Sequence, residues 1–131
     1  MQKTLIRTKK KEEIINITKQ VLDIVSKSEV VDGACLIFVP HTTCAVIINE
    51  NSDPNVAADL LDSLERIVPS KFRYRHKEGN SSSHIKSVLI GPEKIIPISQ
   101  GKLELGRWQA ICLAEFDGPR ERQVYIEFLN R

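Results

Sequence analysis

The chain has 131 residues, 41% hydrophobic and 27% charged, with a formal net charge of +2. That length suits one domain over residues 1–131 with a modest core. The weak, scattered positive charge argues against a nucleic-acid partner. The chain has no apolar run of eighteen or more residues and no leader-like start, so the expectation is a cytoplasmic protein with no membrane partner.

In chain order, "KTLIRT" (Lys3 to Thr8) alternates as a strand should, and "EEIINI" (Glu12 to Ile17) reads as a second, joined by a lysine turn. "TKQVLDIVSKS" reads as a helix with Thr18 as N-cap and Val21, Leu22 and Val25 on its apolar face. "ACLIFVP" is a buried strand that Pro40 interrupts, and "TTCAVIINE" resumes extended and rich in β-branched residues. "DPNVAADLLDSLERIVP" is the clearest helix, capped by Asp53, with Pro54 in its first turn. Its stripe is Val56, Leu60, Leu61, Leu64 and Ile67, and Pro69 stops it. A long polar stretch follows, read as a loop up to a strand "SVLIG". "KIIPIS", "RWQAICLAEF" and "QVYIEFL" close the chain as strands. Strands, helix, strands, helix, strands make an α+β fold with a mainly antiparallel sheet and two main helices.

Cys35, Cys44 and Cys112 sit beside aliphatic residues with no CxxC pair, which reads as reduced core thiols. Cys44 stands apart because it adjoins "HTT".

Three features carry chemistry. His41 follows a buried strand, and Asn49-Glu50 ends the next. The polar stretch "RHKEGNSSSH" holds His76, Glu78, Asn80 and His84 around Gly79. "EFDGPRER" ends a strand at Asp117, turns at Gly118-Pro119 and resumes with Arg120 and Arg122, a pattern that is also an ordinary turn. The spacing of His76 and His84 matches no metal motif. Neutral imidazoles with a carboxylate and an open position would nevertheless suit Zn²⁺ or a similar ion.

The segments "VPHTTCAVIINENSDPNVAADL", "RHKEGNSSSHIKSVLIG" and "GKLELGRWQAICLAEFDGPRERQVYIEF" resemble the YjbQ family (UPF0047) over nearly the whole chain. The residues that carry the resemblance are His41, Thr42, Thr43, Asn49 and Glu50; His76, Asn80 and His84; Gly106, Trp108 and Gln109; and Asp117 to Arg120. The resemblance implies a YjbQ-like α+β fold, a homotrimer, and a pocket near a subunit boundary for a small anionic, phosphate-bearing ligand. It implies that His41, His76 and His84 share a site, with a divalent metal, Zn or Mg, as the cofactor. In common use the family is called secondary thiamine-phosphate synthase, which implies a transferase joining a pyrimidine diphosphate to a thiazole phosphate with loss of pyrophosphate. On that implication His84, His76 and Glu50 are the catalytic candidates. Thr42, Thr43, Asn49, Asn80, Trp108, Gln109, Asp117 and Arg120 are the substrate-binding ones, with Arg107, Arg122 and Lys86 as further anion binders. The alternatives are a metal-dependent hydrolase of another phosphate metabolite and a non-catalytic module for a small anionic metabolite.

Overall fold

The computed structural model describes residues 1–130. Eight strands and three helices follow in the order β1 (Gln2–Arg7), β2 (Glu13–Asn16), α1 (Thr18–Ser26), β3 (Gly33–Phe38), β4 (Cys44–Asn49), α2 (Pro54–Ile67), α3 (Ser81–Ile90), β5 (Glu93–Ser99), β6 (Lys102–Leu103), β7 (Ala110–Glu115) and β8 (Glu121–Asn130). One sheet has the order β1-β8-β3-β5-β6 and the other β2-β7-β4. Every pairing is antiparallel.

The larger core lies between the two sheets. Alternation along each strand turns Ile6, Cys35, Ile37, Ile96, Ile98, Val124 and Ile126 inward from the first sheet, against Val46, Ile111 and Leu113 of the second. Val21 and Val25 of α1 join the same cluster. The opposite face of the second sheet buries Ala45, Ala114 and Phe116, with Leu61 and Leu64 of α2 and Ile90 of α3 packed over them. The layers are therefore sheet, sheet, helices.

Four local expectations change. Thr18 is not the cap of α1 but its first residue, and Asn16 Oδ1 accepts the Thr18 N–H at 3.0 Å. Leu22 is exposed, because α1 covers the core with one narrow face. The helix expected at Asp53 forms with Asp53 as its cap, yet no residue of α2 is fully buried. The stretch read as a loop and strand forms the third helix, α3, and the chain changes sheets between β3 and β4 at Pro40–Thr43.

The reason α3 escapes notice is its inverted face. It buries Ser82, Ser83, Lys86 and Ser87 and exposes Val88 and Leu89. Small serines let it lie close on β4, and Ser83 Oγ donates to the Phe116 carbonyl at 2.6 Å. Gly91, at φ 99°, ends the helix in a conformation that only glycine adopts cheaply. Lys86 is fully buried and donates to Glu12 and Glu65 at 2.8 Å each, tying α3 to α2 and to the approach of β2.

Candidate functional site

The site is built where β7 turns into β8, and it is assembled around two carboxylates. Glu115 ends β7 with no exposed surface. Arg122, on the returning strand, donates to it from Nε at 2.8 Å and from Nη2 at 2.5 Å. The Thr8 hydroxyl and the Asp117 N–H complete its shell at 2.8 and 3.1 Å. Burial alone would raise the Glu115 pKa, but these donors hold it below the usual range; by the same pairing Arg122 is raised against its own burial. Arg122 also donates to Thr43 Oγ1 at 2.7 Å, which fixes the crossover from β3 to β4 against the turn.

Gly118 is required by close approach. A Cβ there would lie 2.2 Å from the Lys10 carbonyl oxygen, and the Gly118 N–H donates to the Lys11 carbonyl at 2.9 Å. The lysine turn between β1 and β2 thus lies directly on the "DGP" turn.

Asp117 is the second carboxylate. It accepts from Lys11 Nζ, from Asn80 Nδ2 at 3.0 Å and from Arg120 Nη2 at 2.9 Å. Burial pushes its pKa up, but the three donors win and hold it at about 2. Arg120 also gives its Nε to the Asp117 carbonyl at 2.7 Å. The arginine is therefore oriented by Asp117, while its side chain stays 53% exposed, enough to meet a ligand.

Around this turn the fold opens a groove of about 330 Å³. His41, Thr42 and Thr43 reach it from the crossover, Glu78, Asn80 and His84 from α3 and its approach, and Asp117, Arg120 and Arg122 from the turn. Asn80 stands at the N-terminal end of α3, where backbone N–H groups and the helix dipole favour negative charge. Its Oδ1 is buried without a hydrogen-bond partner. His84 also borders an adjoining groove of about 560 Å³, lined by Arg73, Tyr74, Arg75, His76, Ser81 and Ile85. The His76 and His84 rings meet edge to face at 5.5 Å.

The expected residues separate into two groups. His41, Thr42, Thr43, Asn80, His84, Asp117 and Arg120 come together, with His76 beside them. Asn49, Glu50, Trp108 and Gln109 do not. β4 and β7 are antiparallel, with Cys44 opposite Glu115 and Asn49 opposite Ala110. The second group therefore sits a strand length away, roughly 17 Å, at the far end of the second sheet. There Glu50 accepts from Ser52, Gln109 Oε1 accepts the Gly106 N–H at 2.8 Å, and Arg107 lies over the Trp108 ring. Of the further cations, Lys86 is enclosed between its two glutamates, and Arg107 is at that far end.

Among the described residues no three His, Cys, Asp or Glu side chains stand close enough together to hold an ion. His41 Nε2 accepts the Gln123 N–H at 2.8 Å, and His76 Nε2 is 3.7 Å from Glu78. The cysteines contribute no ligand either. All three are free and buried, and burial raises Cys35 and Cys112 to about 11 and Cys44 to about 12, so their thiols stay protonated.

What the residue reading missed is the second groove. Its signal was the alternation "KFRYRHK", Lys71 to Lys77, in which cations and rings take turns along one segment.

The same arrangement of elements recurs in known proteins. The family model described as UPF0047 protein YjbQ-like matches residues 2–131. The chain belongs to the YjbQ-like UPF0047 family. A UPF0047 protein of Methanocaldococcus jannaschii is 46% identical over 95% of this chain and 91% of its own. UPF0047 protein YugU of Bacillus subtilis is 42% identical over 99% of this chain and all of its own. Among solved structures, a YjbQ/UPF0047 protein of Clostridium acetobutylicum superposes with a TM-score of 0.96 at 43% identity, covering 98% of this chain and 100% of that one. A protein of Sulfolobus solfataricus, described as a YbjQ-like protein of unknown function, gives a TM-score of 0.96 at 34% identity, covering 99% of this chain and 96% of that one. The family expectation and the mixed, mostly antiparallel α+β architecture therefore hold, with three helices rather than two. No helix among the described residues is long and apolar enough to cross a membrane.

Proposed function

We propose that the groove at the β7–β8 turn binds a small phosphate-bearing metabolite and that the protein is a transferase of the thiamine-phosphate synthase kind. The observation that carries this reading is Arg120. Its Nε and Nη2 are held by Asp117, and Asp117 is itself satisfied by Lys11 and Asn80, so the guanidinium is oriented rather than neutralised one to one. Such a preset cation at a helix N-terminus suits an anion. The second groove, lined by Tyr74 and Ile85 as well as Arg73 and Arg75, offers an apolar surface for an organic portion.

In that reaction the C–O bond between the pyrimidine methylene and its diphosphate breaks, and the electron pair leaves with pyrophosphate. The thiazole nitrogen then attacks the methylene carbon. This chain would help by holding the two reactants together and stabilising the departing anion with Arg120 and the α3 N-terminus. His84, on a helix and lining both grooves, would on this reading give a proton to the leaving group. Among the described residues of one protomer no three ligand side chains converge, and the steps here are assigned to side chains and backbone groups.

We further propose that the working form is a homotrimer. Val88, 81% exposed, Leu89 and Phe72 leave an apolar surface on and beside α3, and Leu5, Phe38 and Ile95 do so on the outer face of the first sheet. Subunit packing would cover such surface. It would also allow Asn49, Glu50 and Trp108 of one subunit to approach the groove of another.

The test is turnover of the two thiamine precursors by purified protein with several divalent metals, beside binding of pyrophosphate. His84→Ala is expected to abolish turnover while pyrophosphate still binds, and Arg120→Ala to weaken binding with little change in melting temperature. Tight pyrophosphate binding without turnover above host background would leave a binding module. No pyrophosphate binding would end the proposal.

A further inference from the structure

β8 outruns its neighbour on one side. Its pairing with β3 reaches only to Tyr125, opposite Phe38, while its pairing with β1 continues to Glu121. The Gln123 N–H is therefore left facing a gap, and His41 fills it, with Nε2 accepting at 2.8 Å. A backbone N–H can only donate, so Nε2 must carry a lone pair and no proton. The imidazole is then neutral with its hydrogen on Nδ1. Turning the ring over would place a carbon at this position and lose the acceptor, so the sheet edge itself selects the orientation and the tautomer. The surroundings agree: burial and then the Arg122 charge push the His41 pKa below its ordinary value.

Both nitrogens are thereby committed. Nε2 has no lone pair free for an ion, and Nδ1 bears a hydrogen. Metal-bound histidine needs the reverse, one bare nitrogen toward the ion with the other donating to the protein. We propose that His41 serves the groove as a fixed neutral hydrogen-bond donor, presenting Nδ1–H to an oxygen of the anionic ligand, and that it is not a metal ligand. The ligand half of this statement rests on the anion-binding reading above, whereas the tautomer half rests on the β8 edge alone. The division of labour is then chemical. Arg120 supplies charge, the end of α3 supplies backbone N–H groups, and His41 supplies a directional donor whose position does not depend on proton uptake.

The test uses full-length protein labelled with ¹⁵N-histidine, since two-bond ¹H–¹⁵N spectra distinguish the tautomers. The His41 signals, assigned by their loss in His41→Asn, are expected to show the Nδ1–H form at neutral pH. They should keep it in excess Zn²⁺, and the Nδ1 proton should shift when pyrophosphate is added. An Nε2–H pattern, or Zn²⁺ shifts of His41 of the metal-ligated kind, would overturn the proposal. A Nδ1 proton indifferent to bound pyrophosphate would overturn the donor role. His41→Asn carries an amide N–H near the place of Nδ1, and His41→Gln near that of Nε2. Pyrophosphate affinity is expected to stay within about threefold for Asn and to fall by ~tenfold for Gln, the worth of one hydrogen bond to a charged group. The reverse order would also overturn it. If pyrophosphate binds nowhere, the anion reading and the donor role fall together, and the spectra in Zn²⁺ still decide the metal half.

Discussion

Asp117 and Glu115 show how two neighbouring carboxylates take different work. Glu115 is sealed in, with Arg122 as its counter-charge, and it locks the strands and the crossover. Replacing one member of such a buried pair leaves the other charge uncompensated, so Glu115→Gln is expected to cost about 3–5 kcal/mol in urea unfolding. Asp117 faces the groove and organises it. Its pKa of about 2 in the fold lies below the value of about 3.9 for an unfolded aspartate. The folded state therefore binds that proton less readily. The resulting stability is fully present above about pH 5 and is lost progressively as pH falls through the unfolded value and then through the folded value of about 2. The wild-type protein should lose about 2 kcal/mol over that acid limb from this group. In Asp117→Asn that part of the slope should vanish, as measured by urea melts from pH 5 to 2. An unchanged slope would show that other groups set the acid limit.

At the scale of the element, α3 is the informative case. It is held by polar groups on its buried side, so its anchors can be removed one at a time. Lys86→Met leaves Glu12 and Glu65 without their shared cation while keeping the volume. Both glutamates are partly exposed and can be hydrated, so it is expected to destabilise the protein by only about 1 kcal/mol and to loosen α3, seen as faster amide exchange in Ser81–Ile90 than in α1. Ser87 offers the opposite sign. Its Oγ is buried with no partner. Ser87→Ala removes an unsatisfied hydroxyl and improves helix propensity, so a gain of about 1 kcal/mol is expected. A loss of stability there would mean that the hydroxyl has a partner in the assembled protein. Gly118→Ala acts on the neighbouring element. Its Cβ would collide with the lysine-turn backbone, which cannot yield as a flexible side chain would. Its cost should appear as a melting temperature lowered by several degrees together with weakened pyrophosphate binding, because Lys11 and Asp117 move together.

For the whole molecule, the unexplained fact is the separation of the residue groups by the length of a strand. Among the described residues Asn49, Glu50 and Trp108, the last 62% exposed, meet chain neighbours: Asn49 accepts the Glu50 N–H, Glu50 accepts from Ser52, and Arg107 lies over Trp108. A trimer in which one subunit's far end meets another's groove would give them a role beyond these contacts. Sedimentation should show a trimer at micromolar concentration. Mixing inactive His84→Ala chains with inactive Glu50→Gln chains under subunit exchange should then restore part of the activity. A monomer, or mixtures that never regain activity, would place the second group outside the site.

The amino-acid pattern determined much by itself. Strict alternation in "KTLIRT" and "QVYIEFL", the Asp53-Pro54 start of α2 and the turn residues of "DGPR" act locally, over a few residues, and each formed where local chemistry put it. The family was legible too, because it rests on residue identities. Only the tertiary structure decided the rest. α3 was invisible because its buried face is serine and lysine, which follow neither an apolar period nor a strong propensity, and become favourable only when Phe116, Glu12 and Glu65 arrive to receive them. The split of β3 and β4 between two sheets was hidden because Pro40 interrupts a strand equally well in a hairpin or a crossover. That split carries His41 to the open edge of β8, and it separates Asn49 and Glu50 from His41, which precedes them by only a few residues. Chain proximity along β4 is distance in space, since an extended strand advances about 3.3 Å per residue, whereas the partners that define the site come from strands and a helix far apart in sequence.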